Sequence, residues 1–257
     1  MTYENITVAR ENDLAVVTMR RAQQRNSLSE AHLRELLDAF RSIAEGDARG
    51  VVLAAEGPVF SAGHDFNDMH GRDLDEMTRL LEVCGELMQL LQRIPQPVIA
   101  QIEGIATAAG CQLVASCDLA VAGESVHFQT PGGRGGWFCH TPGVALARAV
   151  SRKRAVEMLF TGDPIDAETA LAWGLVNRVV PDADVPAETR ALLRRATGGS
   201  RSAKAKGKDI FYRQVDLDVA RAYDVATEVM ADTSQWKSAQ ERINAFVEKR
   251  KPSYDDE

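Results

Sequence analysis

The spacing of apolar residues near the start of the chain predicts a hairpin followed by a helix. Two short β-type runs, 6–9 and 14–19, flank turn-forming residues at 11–13. Apolar residues then recur at helical spacing over 33–43, after two serines that can cap a helix. We therefore expect an antiparallel pair of strands that leads into an amphipathic helix.

Further along, buried strands alternate with helical pattern. A short apolar run at 51–54 predicts a buried strand, and a turn-rich loop begins at Phe60. The pattern over 74–91 is that of a long amphipathic helix, which two prolines end before a second buried strand at 98–102. This alternation favours right-handed βαβ-type crossovers.

The second half of the chain has a more helical pattern. After Ala120 the pattern is irregular until Pro142 and Gly143, where a helix is expected to begin. Helical patterns then cover 155–160, 167–173, 187–196 and 219–250, with a Gly/Ser-rich joint at 198–200. An α/β portion followed by a helical portion is the organisation that these patterns predict.

Composition and charge fit a globular protein without a nucleic-acid footprint. The 257 residues are 45% hydrophobic and 26% charged, and the formal net charge is −7. An acidic chain lacks the basic surface that nucleic acid requires. The first residues show neither a secretory nor a presequence pattern, and no apolar run reaches the ~20 residues of a membrane span. We expect a cytoplasmic protein.

No pattern of metal ligands or paired cysteines is present in the sequence. The four cysteines stand without CxxC spacing, which is typical of buried free thiols: Cys84, Cys111, Cys117 and Cys139. The histidines and aspartates of the 64–70 segment match no HExxH-type pattern. The sequence therefore predicts no metal site.

One segment, GIATAAGCQLVASCD at 104–118, crowds small residues just before a helical run. Small side chains let a ligand approach the backbone, and the first amides of a helix have no partners within it, so an anionic oxygen can accept from them. The alternative is a closely packed junction between a turn and a helix. The residues alone leave both interpretations open.

Together with FSAGHD at 60–65, the segment from 97 to 143 resembles the active-site region of the enoyl-CoA hydratase/isomerase (crotonase) superfamily. The resemblance extends over nearly the whole chain. It implies that two backbone N–H groups, those of His64 and Ala109, form an oxyanion hole for a thioester oxygen. Each motif alone is an ordinary turn, and only the pair in this order is specific.

The resemblance also shows two departures from the common hydratase pattern. Gln112 and Gly132 occupy the positions where hydratases carry their catalytic glutamates. A glutamine can orient water or bind a substrate, but it cannot exchange a proton at neutral pH. The loop from Gly132 to the next Pro-Gly is also longer than in that pattern. Ordinary hydratase activity is therefore expected to be weak.

Two histidines are candidates for the missing proton transfer. His140 lies in the loop that lacks the expected carboxylate, and histidine changes charge near neutral pH. The side chain of His64 can also line the site. The alternative for each is a loop histidine with a structural hydrogen bond.

The resemblance further implies residues that contact CoA. Arg25 lies in the basic loop that meets the CoA phosphates in the family, and Ala62 belongs to the oxyanion-hole loop. Phe246, Lys249 and Lys251 match a C-terminal family segment that holds CoA phosphates, often across a subunit boundary. A solvated charged tail is the alternative for these last three.

For the fold, the resemblance implies a crotonase-like (ClpP/crotonase) α/β spiral of ββα units with a C-terminal helical region. We expect an α/β core at 1–195 and a helical trimerisation region at 196–257, assembled as a homotrimer or a dimer of trimers. No cofactor is expected, since CoA is part of the substrate.

For function, the resemblance implies binding of an acyl- or enoyl-CoA thioester and stabilisation of its enolate, as in lyases and isomerases of fatty-acid metabolism. The rival hypothesis is a regulatory or non-catalytic acyl-CoA-binding protein. The loop FCHTPGVALARAV at 138–150 is most similar to the branch called enoyl-CoA hydratase domain-containing protein 3. Serine hydrolases, P-loop NTPases and nicotinamide dehydrogenases lack their motifs here.

Overall fold

The computed structural model describes residues 2–254 and shows an α/β fold with a helical C-terminal part. Its strands are β1 (Ile6–Glu11), β2 (Leu14–Met19), β3 (Gly50–Ala55), β4 (Val59–Ser61), β5 (Val98–Ile102), β6 (Ile105–Thr107), β7 (Leu119–Gly123), β8 (His127–Gln129), β9 (Ile165–Asp166) and β10 (Arg178–Val180). Its helices are α1 (Glu30–Ala44), α2 (Phe66–Met69), α3 (Leu74–Arg93), α4 (Ala109–Ser116), α5 (His140–Ala149), α6 (Arg152–Thr161), α7 (Ala167–Trp173), α8 (Val185–Thr197), α9 (Arg201–Gln214), α10 (Val219–Thr233) and α11 (Lys237–Val247).

Two sheets organise the chain. The larger has the order β1-β2-β3-β5-β7-β10, in which β1 and β2 are antiparallel and the other neighbours are parallel. The smaller has the order β4-β6-β8-β9, with parallel pairs except β8 and β9. Strands that follow each other in the chain thus alternate between the sheets from β3 to β8.

The larger sheet is buried on both faces, which explains the continuous apolar runs of its central strands. Val51 and Leu53 of β3 belong to the main core, together with the inner faces of α1 and α3. Val52 of the same strand points to the other face, where it joins a smaller cluster with Leu193 of α8. Side chains of β3 alternate between the two cores as the pleat requires.

The first long helices begin where the sequence places capping residues. The Ser29 side chain accepts a hydrogen bond from the backbone N–H of His32 at the start of α1. Asp73 and Glu76 form a reciprocal capping box at the start of α3. Both helices bury one apolar stripe in the main core, as their periodicity predicts.

The structure corrects the sequence interpretation in the second half of the chain. β7 and β8 lie in the segment read as irregular, and α5 begins at His140 rather than after Gly143. The stretch 219–250 is two helices, because the chain turns at 234–236. α9 follows the Gly/Ser joint and was not anticipated.

α9 is tied to the core by a buried ion pair. Lys208 Nζ donates to Asp118 Oδ2 at 2.6 Å, and the Tyr212 hydroxyl donates to Asp118 Oδ1 at 2.9 Å. Beyond it, α10 has no buried residue and α11 has one, Ala245. The expected division between 195 and 196 falls in the last turn of α8. Its assignment as a core and a trimerisation region stays a prediction.

Among residues 2–254, none of the helices has the length and apolarity that crossing a bilayer requires.

A buried histidine on α1 leads to a prediction about stability in acid. His32 is fully buried, its Nδ1 lies 3.1 Å from the Ser27 carbonyl oxygen, and burial lowers its pKa to about 4. The unfolded chain takes up a proton near pH 6.5 and the folded chain only near pH 4, so stability should fall as the pH drops through this window. At about 1.36 kcal/mol per pKa unit the loss is on the order of 3 kcal/mol.

Urea unfolding of the wild type and of His32→Leu, measured from pH 7.5 to pH 4, checks this prediction. Leucine fills the site without a titratable group, so the variant should lose less stability across the window. Equal losses in the two proteins would show that other groups control the acid dependence.

Candidate active site

A largely apolar cavity of roughly 430 Å³ opens between the loop after β4, the start of α4 and the loop that precedes α5. Apolar side chains form most of its wall: Phe66, Leu81, Trp137, Phe138 and Pro142. Its size and lining suit an acyl group. His64 and Ala109, the two predicted oxyanion-hole residues, line this cavity together.

Neither amide has a hydrogen-bond acceptor within residues 2–254. Ala109 is the first residue of α4, and the first N–H groups of a helix have no acceptor within it. The N–H of His64 donates to no carbonyl or side chain in the described part of the chain, although its neighbours Leu28 and Asp65 do pair across this loop. The structure thus leaves free the two donors that the resemblance implies, while their role stays a prediction.

Contacts between the two loops hold these amides close together. A Cβ added at Gly63, whose φ is +88°, would lie 3.2 Å from the Ala109 nitrogen and 2.8 Å from the Ala108 Cβ. The Thr107 hydroxyl donates to the Ala62 carbonyl oxygen at 3.1 Å. Glycine at position 63 therefore allows the close approach that brings His64 beside the start of α4.

The backbone turns sharply at Ala108, directly before α4. Its φ of 50° and ψ of −118° lie in a region that a non-glycine residue adopts at a cost of about 1–3 kcal/mol. The Ala108 N–H donates to the Gln129 carbonyl oxygen at 2.8 Å, which fixes the turn on β8. This turn joins β6 to α4, whose first residue lines the cavity.

A buried ion pair behind the His64 loop was not anticipated from the sequence. Asp65 caps α2 and accepts hydrogen bonds from Arg21 and Ser27, each at 3.0 Å. Burial alone would raise the pKa of Asp65, but these hydrogen bonds outweigh it and hold the pKa below its usual value. Arg21 and Ser27 both precede α1, so their hydrogen bonds to Asp65 hold the N-terminal loop against the His64 loop.

The two positions expected to lack glutamates differ in their surroundings. Gln112 is buried one turn along α4 from Ala109, and its Oε1 has no hydrogen-bond partner within residues 2–254. Gly132 lines the cavity itself. A Cβ there would lie 2.3 Å from the Trp137 carbonyl oxygen and 2.7 Å from the Cys139 sulfur, so the loop that follows fills the space that a side chain needs.

Three titratable side chains line the cavity, and none is a carboxylate: His64, Cys139 and His140. Burial lowers the pKa of His64, and its Nδ1 lies 3.4 Å from the Leu28 carbonyl oxygen. His140 is exposed at the first position of α5, with its ring 5.2 Å from that of Phe138. The geometry leaves their catalytic roles as predictions.

The structure separates the residues expected to contact CoA into two groups. Ala62 lines the cavity, and its N–H donates to the carbonyl oxygen of Arg25, whose side chain is exposed nearby. Phe246, Lys249 and Lys251 are exposed at the far end of the chain and do not line this cavity.

Comparison with known proteins supports the predicted branch. The chain is 44% identical over 250 residues to the rat protein named enoyl-CoA hydratase domain-containing protein 3, mitochondrial, covering 96% of this chain and 83% of the rat protein. The resemblance read from the 138–150 loop is therefore confirmed.

The same relatives contradict the expected cytoplasmic location. The rat, mouse and human proteins are all named as mitochondrial. The expectation was wrong because it rested on the composition of the first residues of this sequence, and the lack of a targeting pattern in them does not identify a compartment.

Solved structures and the family profile agree on the fold. An enoyl-CoA hydratase from Mycobacterium smegmatis superposes with a TM-score of 0.95 at 44% identity, covering 98% of this chain and 99% of that one. Human enoyl-CoA hydratase domain-containing protein 3 gives 0.94 at 42%, covering 98% and 100%. These matches confirm the crotonase-like fold. The enoyl-CoA hydratase/isomerase profile matches residues 9–257, and the chain belongs to that family.

Proposed function

We propose that this chain binds an acyl- or enoyl-CoA thioester with the acyl group in the cavity and the thioester oxygen between the His64 and Ala109 amides. The observation that carries this proposal is the pair of backbone N–H groups without acceptors at an apolar cavity. An apolar wall suits a hydrocarbon acyl group, and two fixed donors suit the one polar atom next to it.

The same donors give the site its chemistry. Negative charge develops on the thioester oxygen when the α-carbon becomes an enolate, and preorganised N–H groups stabilise that charge by about 3–4 kcal/mol per donor in other enzymes. The N-terminus of α4 adds a favourable dipole. This is the chemistry of crotonase-type lyases and isomerases in fatty-acid metabolism, and CoA enters as part of the substrate rather than as a separate cofactor.

A non-catalytic acyl-CoA-binding protein is the second candidate, and one observation favours it. The residues that line the cavity include no carboxylate to move a proton at the α-carbon. Binding is common to both candidates. Turnover of a panel of acyl-CoAs, followed by mass spectrometry, distinguishes them.

Removal of one donor tests the proposal. Because proline is tolerated at the first position of a helix, Ala109→Pro deletes the N–H while α4 can still form. We expect acyl-CoA binding to weaken about tenfold, or ~1.4 kcal/mol. A thioether analogue without the carbonyl should bind wild type and variant alike, because it cannot use the donor.

Leu74→Pro is the matched control. Leu74 is likewise the first residue of a helix, but it is exposed and lies outside the cavity wall. Calorimetric titration of both variants, with circular dichroism to verify folding, gives the comparison. Equal loss of affinity for thioester and thioether in Ala109→Pro would contradict a hydrogen bond to the carbonyl.

We also propose that the chain forms a trimer or a dimer of trimers. The C-terminal helices expose large apolar side chains that a single chain does not cover, including Val219, Tyr223, Met230 and Phe246 at 72–77% exposure. A neighbouring subunit that covers them could bring Lys249 and Lys251 to the CoA phosphates. Light scattering should give three or six chain masses, and a monomer at micromolar concentration would contradict this.

A further inference from the structure

The Cys139 thiol lies in the cavity wall, in the space that a side chain at position 132 would enter. A Cβ at Gly132 would be 2.7 Å from the Cys139 sulfur, and both residues line the cavity. The sulfur also interacts with the backbone of Gly132. A thiol therefore stands beside the position where the family pattern has a carboxylate.

The same thiol is close to the start of α4. Cys111 lies two residues after Ala109 on that helix. Burial is the main cause that raises the pKa of Cys111 to about 12, and the nearby Cys139 thiol contributes to the same shift. α4 and α5 pack against each other, and Cys139 directly precedes α5. The cavity thus combines a sulfur nucleophile with two free N–H donors on neighbouring walls.

We infer that Cys139 is a nucleophile that accepts the acyl group of a bound CoA thioester, which gives the site an acyl-transfer and thioester-hydrolysis activity. The inference rests on the proposed function, because the substrate must first bind with its carbonyl in the oxyanion hole. It assigns a reaction that needs no proton transfer at the α-carbon, and so no carboxylate at position 112 or 132.

The bonds and protons balance in two steps. The Cys139 sulfur attacks the thioester carbon, and the resulting oxyanion is held by the His64 and Ala109 amides. The bond from carbon to the CoA sulfur breaks, and free CoA leaves with the proton that Cys139 gives up. Water then attacks the acyl-cysteine, the carboxylic acid departs, and the thiol is restored.

The surroundings of Cys139 limit the rate at which its thiol can attack the thioester. Burial raises the pKa of its thiol, so the resting group is protonated and must lose its proton as it attacks. The two imidazoles in the cavity wall, those of His64 and His140, are the bases available for that proton. We expect slow turnover, best seen over long incubations.

Butyryl-CoA is the probe, because a saturated acyl chain can be neither hydrated nor isomerised. The protein is incubated with it and quenched in acid. Intact mass then detects one added butyryl group, and chromatography measures released CoA. Peptide mapping of the wild type locates any hydroxylamine-sensitive adduct, so a result does not depend on a variant that folds.

Cys139→Ala and Cys84→Ala form the comparison, since Cys84 is buried on α3 outside the cavity wall. We expect CoA release, with or without adduct at Cys139, in wild type and Cys84→Ala and at least a tenfold loss in Cys139→Ala. Binding of the thioether analogue of butyryl-CoA should be equal in wild type and Cys84→Ala, and Cys139→Ala should still bind it measurably, so that CoA release is compared at saturating substrate. Normal analogue binding without Cys139-dependent CoA release would overturn the inference alone, whereas absent binding in the wild type would overturn the proposed function as well.

Discussion

Hydration of crotonyl-CoA by this chain should be slower by about 10⁴ to 10⁸ than by a family member that carries both glutamates. Addition of water requires one group to activate the water and another to deliver a proton, and each is worth roughly 10² to 10⁴ in rate. Gln112 can do neither, and Gly132 has no side chain. The two losses add only partly, because the residues act as a unit.

Loss of the enoyl-thioester absorbance, followed beside the glutamate-bearing relative, measures this rate. This chain must also bind the thioether analogue normally, because only then does a difference in hydration rate reflect the chemical step rather than weak substrate binding. Gln112→Glu should restore little, because desolvation in this buried position would favour the neutral form of the carboxyl group. A wild-type rate within about tenfold of the relative's, or ~1.4 kcal/mol of barrier, would show that other residues supply both functions.

Elements with strong local patterns were predictable, and the structure shows why. β5 and α7 have the expected bounds. β5 is a short, fully buried and mostly apolar run directly after Pro97, and α7 ends at Gly174, whose φ is +88°. α9 was missed because it buries only Ile210, so no apolar stripe marks it. β8 has three residues and an exposed first position, too little alternation to recognise.

The site was predictable only as far as short motifs determine it. The two loops with free amides were identified through their resemblance to the family motifs, and their small residues are compatible with close approach of the backbones. The inward turn of Arg21, rather than Arg25, depends on backbone geometry: Arg25 and Asn26 have φ values of 54° and 48°. No spacing in the sequence RRAQQRN reveals which arginine meets Asp65.

The lack of space for a side chain at position 132 also depends on residues that lie further along the chain. The sequence shows a glycine where a glutamate is expected, which by itself suggests a simple loss of the side chain. The structure shows the Trp137 carbonyl and the Cys139 sulfur packed against that glycine, so the loop leaves no room for a side chain at this position. Restoring a glutamate there would first have to displace backbone.

Gly132→Ala should therefore destabilise the protein by about 3 kcal/mol, the upper end of the typical range for overpacking, because its new Cβ meets a backbone oxygen at 2.3 Å. Gly135→Ala is the matched control in the same loop. The nearest atom to its Cβ is the Gly132 carbonyl oxygen at 3.8 Å, and its φ is not positive. Alanine at such a position should be neutral or stabilise by about 0.4–1 kcal/mol, because it restricts the unfolded chain.

Urea unfolding of the two variants and the wild type gives both values. Gly132→Ala should also lose about tenfold or more in affinity for acyl-CoA, since relief of the clash moves Trp137 and Cys139, which form the cavity wall. Gly135 lines the same cavity, and the Gly135→Ala variant should keep its affinity for acyl-CoA within a few-fold of the wild type. Equal stability and equal acyl-CoA binding in the two variants would contradict this prediction. The loop would then have room for a side chain at position 132, and its packing would not explain why a glycine stands there.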